Sequence, residues 1–315
     1  IAGAVVCAAI LTFSMPEGPG QLFSIASAHN KFSLGSFGPS LKESTFWVVL
    51  IYGLFINIQN YGIDQNYVQR YMTTSSDRAA KSSALFGSLL YIPVSLVFFY
   101  IGTALFSYYT ARPDLLPEEL KMPGAGDRVF PFFITTGLPA GITGLLIAAI
   151  FSAGMSTVST SLNSTATIVL NDYYKRYVNK KADEKSSMKV LYLSSFITGM
   201  LGIVIALTLV GVESVLDAWW SLASIFSGGM LGLFLLGFIS KKTGKVEAVT
   251  GVIVGVILII WLSLSPVILT EGQELAFRSP FHSNLTIVFG TMTIFLVGFV
   301  MTKLVHRKSP KNESR

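Results

Sequence analysis

The stretch SAGMSTVSTSLNSTAT, residues 152–167, packs nine serines and threonines and one asparagine into sixteen positions. Around it, no charged side chain occurs from Val129 to Asn171. So long a charge-free run exceeds the roughly 20 residues needed to cross a hydrocarbon core about 30 Å thick, so the hydroxyls belong to a membrane helix. Wound as a helix, Ala153, Ser156, Thr157, Thr160 and Ser164 stand at offsets 0, 3, 4, 7 and 11 and form one stripe, with Ser159 and Asn163 at its border. Two readings fit. Small hydroxyl residues let helices pack closely and bond the carbonyl four residues back. Alternatively, the hydroxyls of Ser156 and Thr157 with the carbonyl of Ala153 supply neutral oxygens that replace the hydration shell of a small hard cation. Without a carboxylate such a site binds weakly and reversibly, as a transport cycle requires.

The rest of the chain agrees with a membrane setting. Of 315 residues 51% are hydrophobic and 13% charged, and the mean hydropathy is +0.61. The expected fold is all-α and polytopic, with about eight transmembrane segments at residues 1–15, 45–63, 83–109, 139–170, 188–211, 215–240, 244–265 and 285–304. The first begins inside an apolar run with no initiator Met, so the chain reads as the later part of a longer one. DRVFPFFITTG, residues 127–137, is expected as a short helix lying at the surface or re-entering it.

The same segments organise the charge. Seventeen of the 23 Lys and Arg residues fall on one side and six on the other, and none is stranded in the bilayer. By the positive-inside rule the richer side, which includes the C-terminus, is cytoplasmic. The net charge of +6 is thus topological, with lipid headgroups rather than nucleic acid as its partners. The one cysteine, Cys7, excludes a disulfide framework, and the three histidines fall in loops or the tail. With no catalytic His, Cys or carboxylate pair inside the membrane, an enzyme is not expected. Trp47, Trp219, Trp220 and Trp261 stand near segment ends, where indoles anchor at the interface.

Two further places collect polarity within apolar surroundings. In NIQNYGIDQNYVQR, residues 57–70, Asn57, Gln59, Asn60 and Tyr61 end an apolar helix, and Gly62 allows a bend before Asp64 and Arg70. Amides offer donors and acceptors together, which suits a neutral or zwitterionic solute, although an inner-mouth structural cap fits as well. In DAWWSLASIFSGGMLG, residues 217–232, Gly228 and Gly229 mark either a kink or a close helix approach.

FSAGMSTVSTSLNSTATIVLNDYYKRY resembles the sodium-site helix of the sodium:solute symporter family, and IDQNYVQRYMTTSSDRAAKSS resembles that family's inner loop after its sixth core helix. In the loop, a new helix is expected to start between Arg78 and Ser83. The resemblance implies a LeuT-type inverted-repeat bundle: the end of the first repeat at 1–15, the second repeat at about 45–240, extra helices at 244–304 and a cytoplasmic tail at 305–315. It implies sodium as the coupling ion, held by the Ala153 carbonyl and the hydroxyls of Ser156 and Thr157, with Ser159 and Thr160 lining a second sodium position. It also implies solute contact at Asn57, Asn60, Tyr61 and Trp220. Asn57 agrees with the family's sugar carriers, whereas Asn60 stands where they have an inner-gate Tyr and Trp220 where they have a sugar-contacting Gln. The implied activity is sodium-coupled symport of a small organic solute such as a sugar or sialic acid, in a bacterial inner membrane. A carboxylate, vitamin or inorganic anion, or an uncoupled channel or receptor on the same fold, are the alternatives.

Overall fold

A computed structural model describes residues 1–122, 124–210, 215–268 and 277–307; the side chains of residues 215–222, 224–226, 267, 268, 306 and 307 lie outside the description. No strand occurs among the described residues. Among the described residues eleven α-helices follow one another: α1 (Ala2–Phe13), α2 (Pro19–Ala28), α3 (Phe46–Ile63), α4 (Gln65–Met72), α5 (Asp77–Ala111), α6 (Gly126–Thr136), α7 (Ala140–Ile168), α8 (Glu184–Thr208), α9 (Val215–Ile239), α10 (Lys245–Ile268) and α11 (Thr286–Arg307). Six stretches of the described residues are long and apolar enough to cross a membrane: α3, α5, α7 with its extension, α8, α10, and α11 with its approach. Shorter apolar helices occur at Ala2–Phe13 and Ser227–Ile239. The chain is a polytopic helical membrane protein, and each of the eight expected segments coincides with a helix.

The differences lie in the connections. The glycine- and serine-rich segment after residue 15 contains α2, started by Pro19 at its first turn. A separate short helix, α4, occupies the polar loop after α3. The break between them is at Asp64, where the backbone turns extended (φ −69°, ψ 126°), whereas Gly62 stays helical. Helix α5 starts at Asp77, capped by the Ser76 hydroxyl accepting the Ala79 N–H, so the expected start between Arg78 and Ser83 is slightly late. Helix α7 does not end in the polar run but winds on as π-helix through Val169–Val178. Asp183 then caps α8; hydrogen bonding to Ser186 holds its carboxylate below the usual range, and it stays charged at neutral pH.

The chain forms two compact units. In the unit comprising Ile1–Ser33 and Gln69–Ser214, α1 buries Ala4, Cys7 and Leu11, one face at helical spacing, against α5. From α5 come Ile101, Ala104, Leu105 and Tyr108 at matching spacing. Phe133 of α6 is 1% exposed and joins the same core with Ile134, while Asp127, Arg128, Thr135 and Thr136 stay exposed, so DRVFPFFITTG is a short helix that packs one face and leaves the other open. The Ser107 hydroxyl, fully buried, donates to the Leu22 carbonyl at 3.0 Å and ties α5 to α2. Helix α7 packs on α6, α1 and α8.

In the unit comprising Leu34–Val68 and Val215–Arg315, α9, α10 and α11 form a tight trio with α3 at its side. Ile294, fully buried on α11, projects among glycines: a methyl group on Gly232, Gly251 or Gly255 would press on it, and one on Gly229 would just touch it. Gly228 and Gly232 on α9, and Gly251 and Gly255 on α10, each stand four residues apart, the spacing that lets helices approach to backbone contact in lipid. The Thr291 hydroxyl donates to the Gly228 carbonyl at 3.2 Å across the α9–α11 contact. Gly228 and Gly229 thus serve close approach within a continuous α9. A side chain at Gly251 would meet the Ile294 carbonyl at 2.8 Å and the Gly298 backbone at 3.2 Å, neither of which can swing aside. Gly251→Val is expected to cost about 1–3 kcal/mol, lowering the melting temperature of the purified protein. Gly237→Ala, where nothing lies within 4 Å, is expected to leave it unchanged.

Candidate functional site

The hydroxyl stripe lies on α7. Ala153, Ser156, Thr157 and Ser159 are exposed within their unit, and Thr160 is half-buried. The Thr157 hydroxyl donates to the Ala153 carbonyl at 3.1 Å, and the Thr160 hydroxyl donates to the Ser156 carbonyl at 2.9 Å. Two of the three oxygens expected to hold sodium are therefore side by side. The geometry also settles which way the Thr157 dipole points. Its one proton is turned back along the helix, so both hydroxyl lone pairs remain for an outside acceptor-seeking partner, while the Ala153 carbonyl takes this bond in addition to the helix's own N–H of Thr157. A cation is such a partner; a second carbonyl is not. The same bond satisfies a hydroxyl in lipid, so the packing and cation readings share one geometry.

The expected solute residues lie on α3 and α9. On α3 the buried positions are Val48, Tyr52 and Gln59, and Asn57 stands about 160° round the helix from Gln59 at 100° per residue. Asn57 is exposed in its unit, and its amide donates one N–H to the Gly53 carbonyl at 2.7 Å, leaving its carbonyl oxygen and second N–H outward. Asn60 and Tyr61 are half-buried, and the Tyr61 ring packs on Tyr67 with centroids 5.1 Å apart. Trp220 falls early in α9, but its side chain lies outside the described residues. Of the other indoles, Trp47 donates to the Phe37 carbonyl at 3.2 Å and Trp261 to the Phe277 carbonyl at 2.9 Å. Among the described residues, no group of three or more His, Cys, Asp or Glu side chains is placed to hold a metal.

One contact joins two motifs that the sequence leaves separate. Gln69 of α4 donates from Nε2 to Oγ of Ser164 at 2.9 Å, and Ser164 is only 4% exposed. Both residues lie in motifs that the sequence shows, Ser164 at the end of the α7 stripe and Gln69 in NIQNYGIDQNYVQR. Nothing in their spacing pairs positions 95 residues apart.

Known proteins show the same organisation. The profile of the sodium:solute symporter family matches residues 23–255. The chain belongs to this family. It is 33% identical over 237 residues to the sodium/sialic acid symporter NanT of Aliivibrio fischeri, covering 74% of this chain and 46% of that protein. It is 35% identical over 238 residues to the sodium/sialic acid symporter SiaT of Proteus mirabilis, covering 75% and 47%. A solved structure of a Na+-coupled sialic acid symporter, in a substrate-bound outward-open state, matches with a TM-score of 0.80 at 30% identity, over 96% of this chain and 59% of that one. The chain thus spans about half the length of the curated relatives it matches. These relatives are transporters, not enzymes.

Thr157→Val keeps the side-chain volume while removing every lone pair. Because the lost bond is a back-bond that adds little to helix stability, the sodium-free melting temperature is expected to stay within about 2 °C of wild type. The rise in melting temperature on adding sodium, which mass action gives to any ligand of the native state, is expected to need several-fold more sodium. An unshifted dependence on sodium concentration in Thr157→Val would contradict the cation reading of α7.

Proposed function

We propose that this protein carries a small organic solute across a bacterial inner membrane together with sodium, by alternating access. The observation that carries the reading is the Thr157 hydroxyl, exposed in its unit and bonded back to the Ala153 carbonyl on a charge-free membrane helix, in a chain of the sodium:solute symporter family. Ser156 supplies the third oxygen, and Ser159 and Thr160 line a second sodium position. Asn57, Asn60, Tyr61 and Trp220 contact the solute. Likeness to two sialic acid symporters at 33% and 35% identity supports a sialic acid, or a related sugar acid, as the first solute to try. Residues 45–240 form the second of two inverted repeats, with the end of the first at 1–15, and the C-terminal tail is cytoplasmic, the side that takes most of the basic residues.

In this mechanism sodium is cargo as well as coupling ion. The membrane potential contributes about 2.3 kcal/mol per charge per 100 mV, and the inward sodium gradient adds to it. A site made of neutral oxygens binds without trapping, so the ion leaves when the cytoplasmic side opens. No titratable group stands among the five α7 residues, so the driving ion is sodium rather than a proton.

Uptake of radiolabelled sialic acid into proteoliposomes tests this. With the full-length protein, uptake is expected to concentrate the solute when sodium is outside and to fail when potassium replaces it. Ser156→Ala with Thr157→Ala is expected to raise the sodium concentration for half-maximal uptake by tenfold or more, roughly the loss of one to two oxygen contacts. Sodium dependence unchanged by the pair of substitutions would sink the ion assignment. Uptake of a monocarboxylate or vitamin in place of sialic acid would keep the coupling and correct the solute.

A further inference from the structure

Helix α8 reverses the arrangement of a water-soluble helix. Its half-buried residues include Ser187, Ser194, Ser195, Thr198 and Gly199, and it packs on α7, where a methyl group on Gly199 would meet Leu162 at 3.9 Å. Its open face repeats in adjacent pairs one turn apart: Glu184 and Lys185, Met188 and Lys189, Tyr192 and Leu193, Phe196 and Ile197, Met200 and Leu201. All ten are exposed within their unit. Small residues toward the protein and large apolar ones outward are the pattern of a helix whose neighbour is lipid.

Along the open face the side chains are ordered by depth. Lys185 and Lys189 come first, the ring of Tyr192 next, and then apolar side chains as far as Leu201. That is the order of headgroup, interface and hydrocarbon in a bilayer. From Lys189 to Leu201 the helix rises about 18 Å at roughly 1.5 Å per residue, enough to cover one leaflet's half of a hydrocarbon core about 30 Å thick.

The polar end of this face is a groove of about 670 Å³ lined by Asp183, Glu184, Lys185, Met188, Lys189 and Tyr192. Its acidic members stand at the start of the helix: the Asp183 carboxylate accepts the Ser186 N–H at 3.2 Å and lies in the field of Lys189, and Glu184 opens the first turn. Lys185 and Lys189 are four residues apart, the spacing at which two side chains on a helix reach one group. Among the described residues neither lysine forms an ion pair within 4 Å. From Asp172 to Lys189 the chain carries six Lys and Arg against three Asp and Glu, so the surroundings of the groove also favour an anion.

We propose that this groove binds the phosphate of an anionic phospholipid. Lys185 and Lys189 hold the phosphodiester, Tyr192 lies at the level of the glycerol, and the acyl chains run along the apolar face of α8. The charge complementarity and the order of side chains along one face select this occupant. The inference rests on the membrane setting of the chain and is independent of the sodium site.

The test uses full-length protein, delipidated in detergent in a sodium-free potassium buffer, with phosphatidylglycerol or phosphatidylcholine added in mixed micelles. Phosphatidylglycerol is expected to raise the melting temperature, as any ligand of the native state does, and phosphatidylcholine is not. Lys185→Gln with Lys189→Gln is expected to raise the phosphatidylglycerol needed for half of that rise by about tenfold or more, since each basic group beside an anionic lipid is worth about a factor of five. Lys185→Arg with Lys189→Arg keeps the charge and is expected to stay within about threefold of the parent. Lys241→Gln with Lys242→Gln removes the same charge elsewhere and is expected to stay within about twofold. Equal losses from the two glutamine pairs would overturn the inference, as would an equal rise with phosphatidylcholine or the same rise from inorganic phosphate. A rise that follows conversion to a dimer in light scattering would overturn it as well, by assigning the face to a second copy of the chain. With no sodium present, each of these failures leaves the symport reading standing.

Discussion

A hydroxyl in hydrocarbon must find an acceptor within its own helix or across to a neighbour, because lipid offers none. On α7 that constraint turns Thr157 back onto Ala153 and Thr160 back onto Ser156. Each bond settles a proton and in doing so presents oxygen lone pairs outward. The packing device and the ion ligand are the same geometry, distinguished by what lies opposite. This is why an apolar helix can carry nine hydroxyl residues over 152–167 without a single charge, and why the cation site proposed there needs no carboxylate.

The two units satisfy the membrane in different ways. The α9, α10 and α11 trio relies on glycine: with Ile294 set among Gly229, Gly232, Gly251 and Gly255, backbones touch and dispersion contacts accumulate where no hydrophobic effect between helices is available. The other unit joins helices by side chains, with α1 against α5 and Phe133 filling the centre. It also contains an exception to regular α-helix, the ten-residue π-helical end of α7. Irregular helix of this kind is frequent at functional sites, and it begins five residues after Ser164.

The sequence made the spans legible because a membrane helix announces itself by length, hydropathy and charge asymmetry, and all eight expected segments are helices. Short amphipathic helices do not announce themselves. Helix α2 sat in a stretch whose glycines and serines signal loop, and α4 in a stretch too polar for a span and too short for a periodic pattern. DRVFPFFITTG shows its helix in sequence, whereas which face packs depends on Phe133 and Ile134 meeting α1 and α5. Glycine has the same ambiguity: GG in an apolar run marks a kink or a contact, and only the position of Ile294 decides. For the site, the α7 stripe was readable from spacing and its chemistry from the family resemblance, whereas the Gln69 to Ser164 bond joins positions no local rule connects.

The central claim is that the α7 oxygens bind sodium, and equilibrium binding of radioactive sodium to the purified full-length protein measures this directly, with no solute present. The account predicts saturable binding that excess unlabelled sodium displaces and potassium does not, and that Ser156→Ala with Thr157→Ala lowers by tenfold or more, the scale of losing one to two oxygen contacts. Binding of equal affinity in the doubly substituted protein would contradict it.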